Sequence, residues 1–258
     1  MTRSLAKLIC LFISVLTFSG RVAAQDAVPQ EIMERTFLIR WGNSAGTAFT
    51  IDYQGRLYVV TAKHVVSGDP PTAEGVPLRD AVLQIKHNDQ WVDLKTIRTL
   101  YSASKDADIA VFETDQRTLV PYEIQPAGED GGVTFGQQVW FIGYPFGLGT
   151  DLSGRLLPFL KRGTMSALDK SNPNAVVFYI DGFNNHGFSG GPIIFWDFKL
   201  HRYFILGVVH GFRPENAETD VNGQRVATKV LVNSGILVGY SIEHAMAAIR
   251  ASLPPQQR

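Results

Sequence analysis

From Thr36 onward, short apolar runs alternate with tight polar interruptions. Thr36–Trp41, Gly46–Ile51, Leu57–Ala62, Ala81–Lys86 and Ile109–Glu113 are rich in Val, Ile, Phe, Tyr and Thr. Turn residues such as Gln54-Gly55 and Ser67-Gly68-Asp69-Pro70-Pro71 separate them, so each run reads as a strand. The second half repeats the pattern in Val133–Ile142, Gly163–Ala167, Ala175–Ile180, Pro192–Phe195, Tyr203–Val209 and Gly235–Ser241. No stretch before residue 240 keeps a 3.6-residue apolar period over three turns. Ile242–Leu253 does, with Ile242, Ala245, Met246 and Ile249 on one face, Ser241 placed to cap it and Pro254-Pro255 to stop it. The polar interval Asp115–Gly132, with Pro121 and Pro126, divides the strands into two groups of similar size. An all-β architecture of two small barrels followed by a C-terminal helix is predicted.

The first residues belong to a different pattern. Arg3 and Lys7 precede the apolar stretch Leu8–Phe18, which breaks at Ser19-Gly20 and is followed by Val22-Ala23-Ala24. A basic start, a short apolar middle and small residues at the cut are the layout of a secretory signal peptide, cleaved after Ala24. Eleven apolar residues are too few to span a bilayer, so no stable membrane anchor is expected after cleavage. Cleavage would remove Cys10, the sole cysteine, leaving an exported chain, periplasmic or secreted, that owes nothing to disulfides.

Composition narrows the function classes. The 258 residues are 45% hydrophobic and 19% charged, with 24 basic against 24 acidic side chains. That excludes a disordered chain, and the zero net charge without a Lys/Arg run gives no reason to expect a nucleic-acid partner. No His-Glu-Xaa-Xaa-His occurs, and His64, His87, His186, His201, His210 and His244 show no metal-ligand spacing, so neither a metal nor another cofactor is expected.

Three motifs carry chemistry. Thr61-Ala62-Lys63-His64 places a histidine just after an apolar strand. Asp106-Ala107-Asp108-Ile109-Ala110-Val111 sets an acid directly before another. His186-Gly187-Phe188-Ser189-Gly190-Gly191-Pro192 puts a serine in a glycine-rich turn leading into a third. In that order they resemble the trypsin-like (chymotrypsin-fold) serine peptidases. Gly143-Tyr144-Pro145-Phe146-Gly147-Leu148-Gly149 and Gly163-Thr164-Met165-Ser166-Ala167-Leu168 are similar to segments of the bacterial Deg/HtrA-type branch, and Gly46-Thr47-Ala48-Phe49 resembles the family's Gly-Thr/Ser-Gly-Phe strand.

The resemblance implies two six-stranded antiparallel β-barrels, residues 25–120 carrying His64 and Asp108 and residues 121–258 carrying Ser189 and the helix. It implies an endopeptidase acting on protein or peptide substrates. A serine hydroxyl needs a base within reach, so His64 takes that role, Asp108 orients it, and the backbone N–H groups of Gly187 and Ser189 form the oxyanion hole. Asp106 is a competing acid two residues earlier. Phe183, Val209, His210 and Gly211 would line the substrate pocket, with His210 favouring acidic side chains if it faces that pocket and a small apolar preference otherwise. Phe188 stands where the family usually has Asp or Asn, and Lys63 replaces a commoner small residue. The segment Asp151–Arg162 is longer and more apolar than the Deg-type pattern, and is read either as a lid, oligomer contact or substrate-facing loop, or as a surface insertion packed on itself. No PDZ domain fits after the helix, and no Ile-Val-Gly-Gly activation sequence occurs. The alternative to a peptidase is a non-catalytic or latent protein-binding module on the same fold.

Overall fold

Period-two alternation is realised as antiparallel strands. The computed structural model describes residues 27–67, 82–101, 104–119, 127–128, 132–221 and 224–254. The expected leader at residues 1–24 and the turn at residues 68–71 lie outside the described residues.

After a single helical turn α1 (Gln30–Glu34) come β1 (Thr36–Trp41), β2 (Ser44–Tyr53) and β3 (Arg56–Thr61). Helix α2 (Lys63–Ser67) follows, then β4 (Gln84–His87), β5 (Gln90–Asp93), β6 (Thr96–Tyr101) and β7 (Ala110–Thr114). These strands form one sheet in the order β5-β4-β1-β2-β3-β7-β6. Two of its hairpins turn on Gln54-Gly55 and Asn88-Asp89, pairs in which both residues have positive φ. Such turns twist with the flanking strands and so hold the register.

The second unit comprises β8 (Ala127–Gly128), β9 (Gln138–Gly143), β12 (Phe159–Asp169), β13 (Val177–Asp181), β14 (Pro192–Asp197), β15 (Arg202–Val221) and β16 (Gln224–Ser241). A separate hairpin, β10 (Thr150–Leu152) with β11 (Arg155–Leu157), stands between β9 and β12. Strand β14 pairs with both β9 and β15, which closes a six-stranded ring; β8 adds a seventh strand, parallel to β15. The architecture is two barrel-like β-sheet units and a C-terminal helix; the second closes on six antiparallel strands, and the first sheet has seven. Among the described residues no helix is long and apolar enough to cross a membrane.

Helix α3 (Glu243–Ser252) joins the two units. Ile242, Ala245, Met246 and Ile249 pack in one cluster with Phe49, Tyr58, Val60 and Val111 of the first sheet and Trp140, Ile142 and Ile194 of the second. The Ser241 Oγ accepts the Glu243 amide at 3.3 Å, which satisfies one of the helix's unpaired N–H groups. Arg98 Nη1 donates to the Ser252 carbonyl at 3.0 Å, tying the far end back to β6.

Arg98 also meets Glu113 on β7, which accepts from Arg98 Nε and Arg56 Nη1, each at 2.7 Å. Burial raises the Glu113 pKa, but the two guanidinium groups outweigh it and hold the carboxyl below its ordinary value. A carboxyl depressed in the folded state contributes stability above its unfolded pKa and loses it as pH falls through the folded value. Glu113→Gln is therefore expected to flatten the acid side of the stability–pH curve measured by urea midpoints. An unchanged curve would mean the cluster adds nothing.

Candidate active site

The first sheet delivers a histidine and an acid. Strand β3 ends at Thr61, and the chain turns at once into α2, so His64 sits in a helical turn at the end of an inner strand. Antiparallel pairing of Thr61 with Ala110 brings residues 63–64 beside residue 108. The Lys63 amide reaches the Asp108 carbonyl at 3.4 Å, and the His64 amide donates to Asp108 Oδ1 at 2.8 Å. His64 Nδ1 lies 2.6 Å from Asp108 Oδ2. Asp106 is exposed and accepts from Asn172 Nδ2 at 2.8 Å.

The second unit delivers the serine on a turn that few residues fit. Gly187 has φ +101°, and a Cβ there would fall 2.2 Å from the Tyr144 carbonyl oxygen. At Gly190, φ +86°, a Cβ would lie 2.1 Å from the Thr47 carbonyl oxygen. Only glycine permits both the conformation and the approach. The Ser189 carbonyl accepts the Thr47 amide at 2.8 Å, and Thr47 Oγ1 donates to the Gly187 carbonyl at 2.7 Å, so β2 of the first sheet grips the turn.

Two peptide planes in this turn are fixed by their carbonyls. The His186 carbonyl accepts the Phe146 amide at 2.8 Å, and the Phe188 carbonyl accepts the Gly191 amide at 2.9 Å. In a trans peptide the N–H points opposite to the C=O. The amides of Gly187 and Ser189 are thus aimed away from those anchors, and among the described residues neither has an acceptor.

Phe188 is fully buried, its ring 5.3 Å edge-on from Phe141. Lys161 on β12 places its ammonium 5.6 Å from the Phe188 ring and donates to the Phe183 carbonyl and to Asn185 Oδ1, both at 2.7 Å. Partial burial lowers the Lys161 pKa. Neither Lys161 nor Thr47 was singled out as a site residue from sequence, because both act across strand pairings that no local motif records.

His210 is turned toward the acid: its Nδ1 lies 2.5 Å from Asp108 Oδ2, the oxygen that His64 also contacts. Its backbone carbonyl accepts the Ser189 hydroxyl at 2.9 Å, and the two imidazoles meet edge to face at 5.3 Å. His210 thus connects His64, Asp108 and Ser189. On a strand, neighbouring side chains take opposite faces, so one position in frame decides between pocket and triad. Val209, the preceding residue, is fully buried in the second unit's core, with Phe141, Phe188 and Leu206, and does not line an open pocket by its side chain. Phe183 is exposed, and nothing would lie within 4 Å of a Cβ at Gly211, so that part of β15 borders open space.

Asp108 is strongly perturbed. Burial would push its carboxyl up, but hydrogen bonds from the His210 and His64 imidazoles outweigh this and hold it well below the usual carboxylate range. An ionised carboxylate only accepts, so both Nδ1 atoms donate, and the neutral His64 ring is left with Nε2 as its basic atom.

The insertion after β9 is the β10–β11 hairpin, turned on Ser153-Gly154 and fastened by an Arg155–Glu34 ion pair of 2.7 Å. The Tyr144 hydroxyl lies 2.9 Å from the Leu156 carbonyl. An apolar cavity of about 340 Å³, lined in part by Ile32, Phe49, Ile194 and Tyr203, shares no residue with the His64–Asp108–Ser189 cluster.

Comparison with known proteins agrees with this geometry. Residues 46–198 match the family described as the trypsin-like peptidase domain. A curated relative, Protease Do-like 1, chloroplastic, of Arabidopsis thaliana, is 29% identical over 184 residues, 70% of this chain. This match covers 36% of that protein's length. Among solved structures, the active form of the Rv3671c protease from M. tuberculosis aligns with TM-score 0.55 at 16% identity, over 89% of this chain and 85% of that one. The HtrA-type protease AlgW with tripeptide aligns with TM-score 0.53 at 17% identity, over 86% and 61%. At such identities the two structures speak for the fold, while the match over residues 46–198, more than half of the chain, speaks for descent. The chain belongs to the trypsin-like peptidase family.

Proposed function

We propose that the chain is an exported serine endopeptidase that cleaves protein or peptide substrates through His64, Asp108 and Ser189. The observation that carries this reading is the pair of unengaged amides, Gly187 and Ser189, held by the anchored carbonyls of His186 and Phe188. Such donors, fixed before substrate arrives, are what a developing oxyanion requires.

In this mechanism Ser189 rotates from the His210 carbonyl to His64 Nε2, which takes its proton as Oγ attacks the scissile carbonyl. The Gly187 and Ser189 amides receive the oxyanion, and Asp108 stabilises the imidazolium through Nδ1. His64 then protonates the leaving amine, and the acyl-enzyme is hydrolysed by water with the same base. Substrate would lie along Gly211 with its side chain near Phe183. The His210 ring is committed to Asp108 and the Lys161 ammonium to two carbonyl oxygens, which favours small uncharged side chains over acidic ones.

The bond from Ser189 to the His210 carbonyl favours a second reading, a latent or non-catalytic binder in which the hydroxyl stays turned away from the base. Labelling with a fluorophosphonate separates the two. The peptidase is expected to form a stoichiometric adduct that maps to Ser189; folded chain that stays unlabelled would favour the latent reading.

A further inference from the structure

Asp108, His64 and His210 each offer one ligand atom, and these three atoms lie within 4.8 Å of one another. The sequence shows no ligand spacing because the three come from α2, from the segment before β7, and from β15. Two imidazole nitrogens and one carboxylate oxygen, with room for a fourth ligand, are the donor set of an open zinc site. The two N···O separations are 2.6 and 2.5 Å. Tetrahedral zinc with bonds of about 2.0–2.1 Å needs its ligands about 3.3 Å apart, so the groups must spread by under about 1 Å. The His210 side chain is 43% exposed and His64 26%, against 12% for Asp108. The cluster is therefore open to solvent on its imidazole side and anchored by its anion below.

We propose that this cluster binds a divalent cation of the zinc class and that binding switches the peptidase off. The inference rests on the catalytic roles given above and adds their regulation. Each neutral ring now carries its proton on Nδ1, pointed at Oδ2. A metal ion takes the Nδ1 lone pair, so that proton leaves and a proton returns from solvent to Nε2; the ring stays neutral and no electrons change hands. His64 is then the wrong tautomer, with an N–H facing Ser189 in place of a lone pair. It cannot take the serine proton, however well substrate binds. Mg²⁺ and Ca²⁺ prefer sets of oxygen ligands and do not compete for these nitrogens.

The test is isothermal titration of the purified chain with zinc chloride in a non-chelating buffer, alongside fluorophosphonate labelling. One ion per chain is expected, at about micromolar affinity, with labelling falling in parallel and returning on addition of EDTA. Magnesium and calcium chlorides should do neither. Cobalt(II) should give the intense visible bands of a tetrahedral site, a readout independent of activity. His210→Ala should lose at least about tenfold in zinc affinity. His210→Gln, which keeps an N–H donor for Asp108, gives the same comparison if the alanine variant fails to fold. Zinc uptake that is absent, unchanged in both His210 variants, or without effect on labelling would overturn the proposal. Ser189→Ala should bind zinc like the parent chain although it cannot be labelled. His210-dependent zinc uptake by a chain that never labels would support the metal site and sink the peptidase reading instead.

Discussion

Ser189→Ala is expected to lower kcat for peptide hydrolysis by about 10⁶-fold, with the fold and its thermal midpoint nearly unchanged. The Ser189 hydroxyl makes one bond, to the His210 carbonyl, and its loss leaves that partly exposed carbonyl to water. His64→Ala should cost about as much, and the double variant little more, because nucleophile and base act as one unit. Asp108→Asn should fall about 10⁴-fold, since an amide can present its N–H to His64 Nδ1 and hold the wrong tautomer. Steady-state kinetics with a fluorogenic peptide mixture decides this. Additive losses from Ser189→Ala and His64→Ala would show that the two side chains do not cooperate.

Phe188→Ala should be the most damaging change outside the triad. The ring is fully buried, and a Cβ at the neighbouring Gly143 would stand 2.7 Å from its Cδ1. Removing a buried phenylalanine costs about 3–5 kcal/mol, because the cavity only partly collapses. Here the same residue also lies between Gly187 and Ser189, and its carbonyl is one of the two that anchor the peptide planes carrying the proposed oxyanion donors. Urea unfolding should show the stability loss, and kcat should fall with little change in KM, since a loose turn weakens transition-state contacts more than substrate binding. A loss of stability with kcat intact would mean the turn is held by the grip of Thr47 alone. Phe188 thus takes the place of the polar residue usual in the family with packing against Phe141, so the departure that stood out in the sequence has a structural reason.

Much of this was legible before any coordinates. His64, Asp108 and Ser189 each sit in a local motif at the end or start of an apolar run, and a strand end is a place that sequence marks well. The helix at residue 243 was equally plain, because four apolar side chains repeat at helical spacing. What escaped were contacts made across the sheets. Nothing local indicates which face of β15 His210 occupies, because its partner Asp108 is 102 residues away. Lys161 reaches Phe183 and Asn185 because β12 pairs with β13, whose last residue Asp181 lies opposite Thr164 just before that turn. The length of β15 and β16 was missed as well. Pro214, Glu215, Asn216 and Glu218 break the apolar alternation, yet their backbones continue the pairing with β16 as far as Val221 and Gln224. Among its described residues the arm buries no core of its own, and on β16 Val230 and Leu231 stay exposed, so nothing local advertises it.

Helix α3 has a consequence for the order in which the fold is made. Its side chains fill the space between both sheets, and its far end is tied to Arg98. A chain emerging N-terminus first can complete its first sheet, and then its second, while the wedge between them is still unmade. Until residues 242–252 arrive, His64 and Ser189 lack the packing that fixes one barrel against the other. The element that completes the cleft is thus delivered after both halves of it, and if the proposed peptidase activity holds, a half-synthesised chain would have little chance to cut itself.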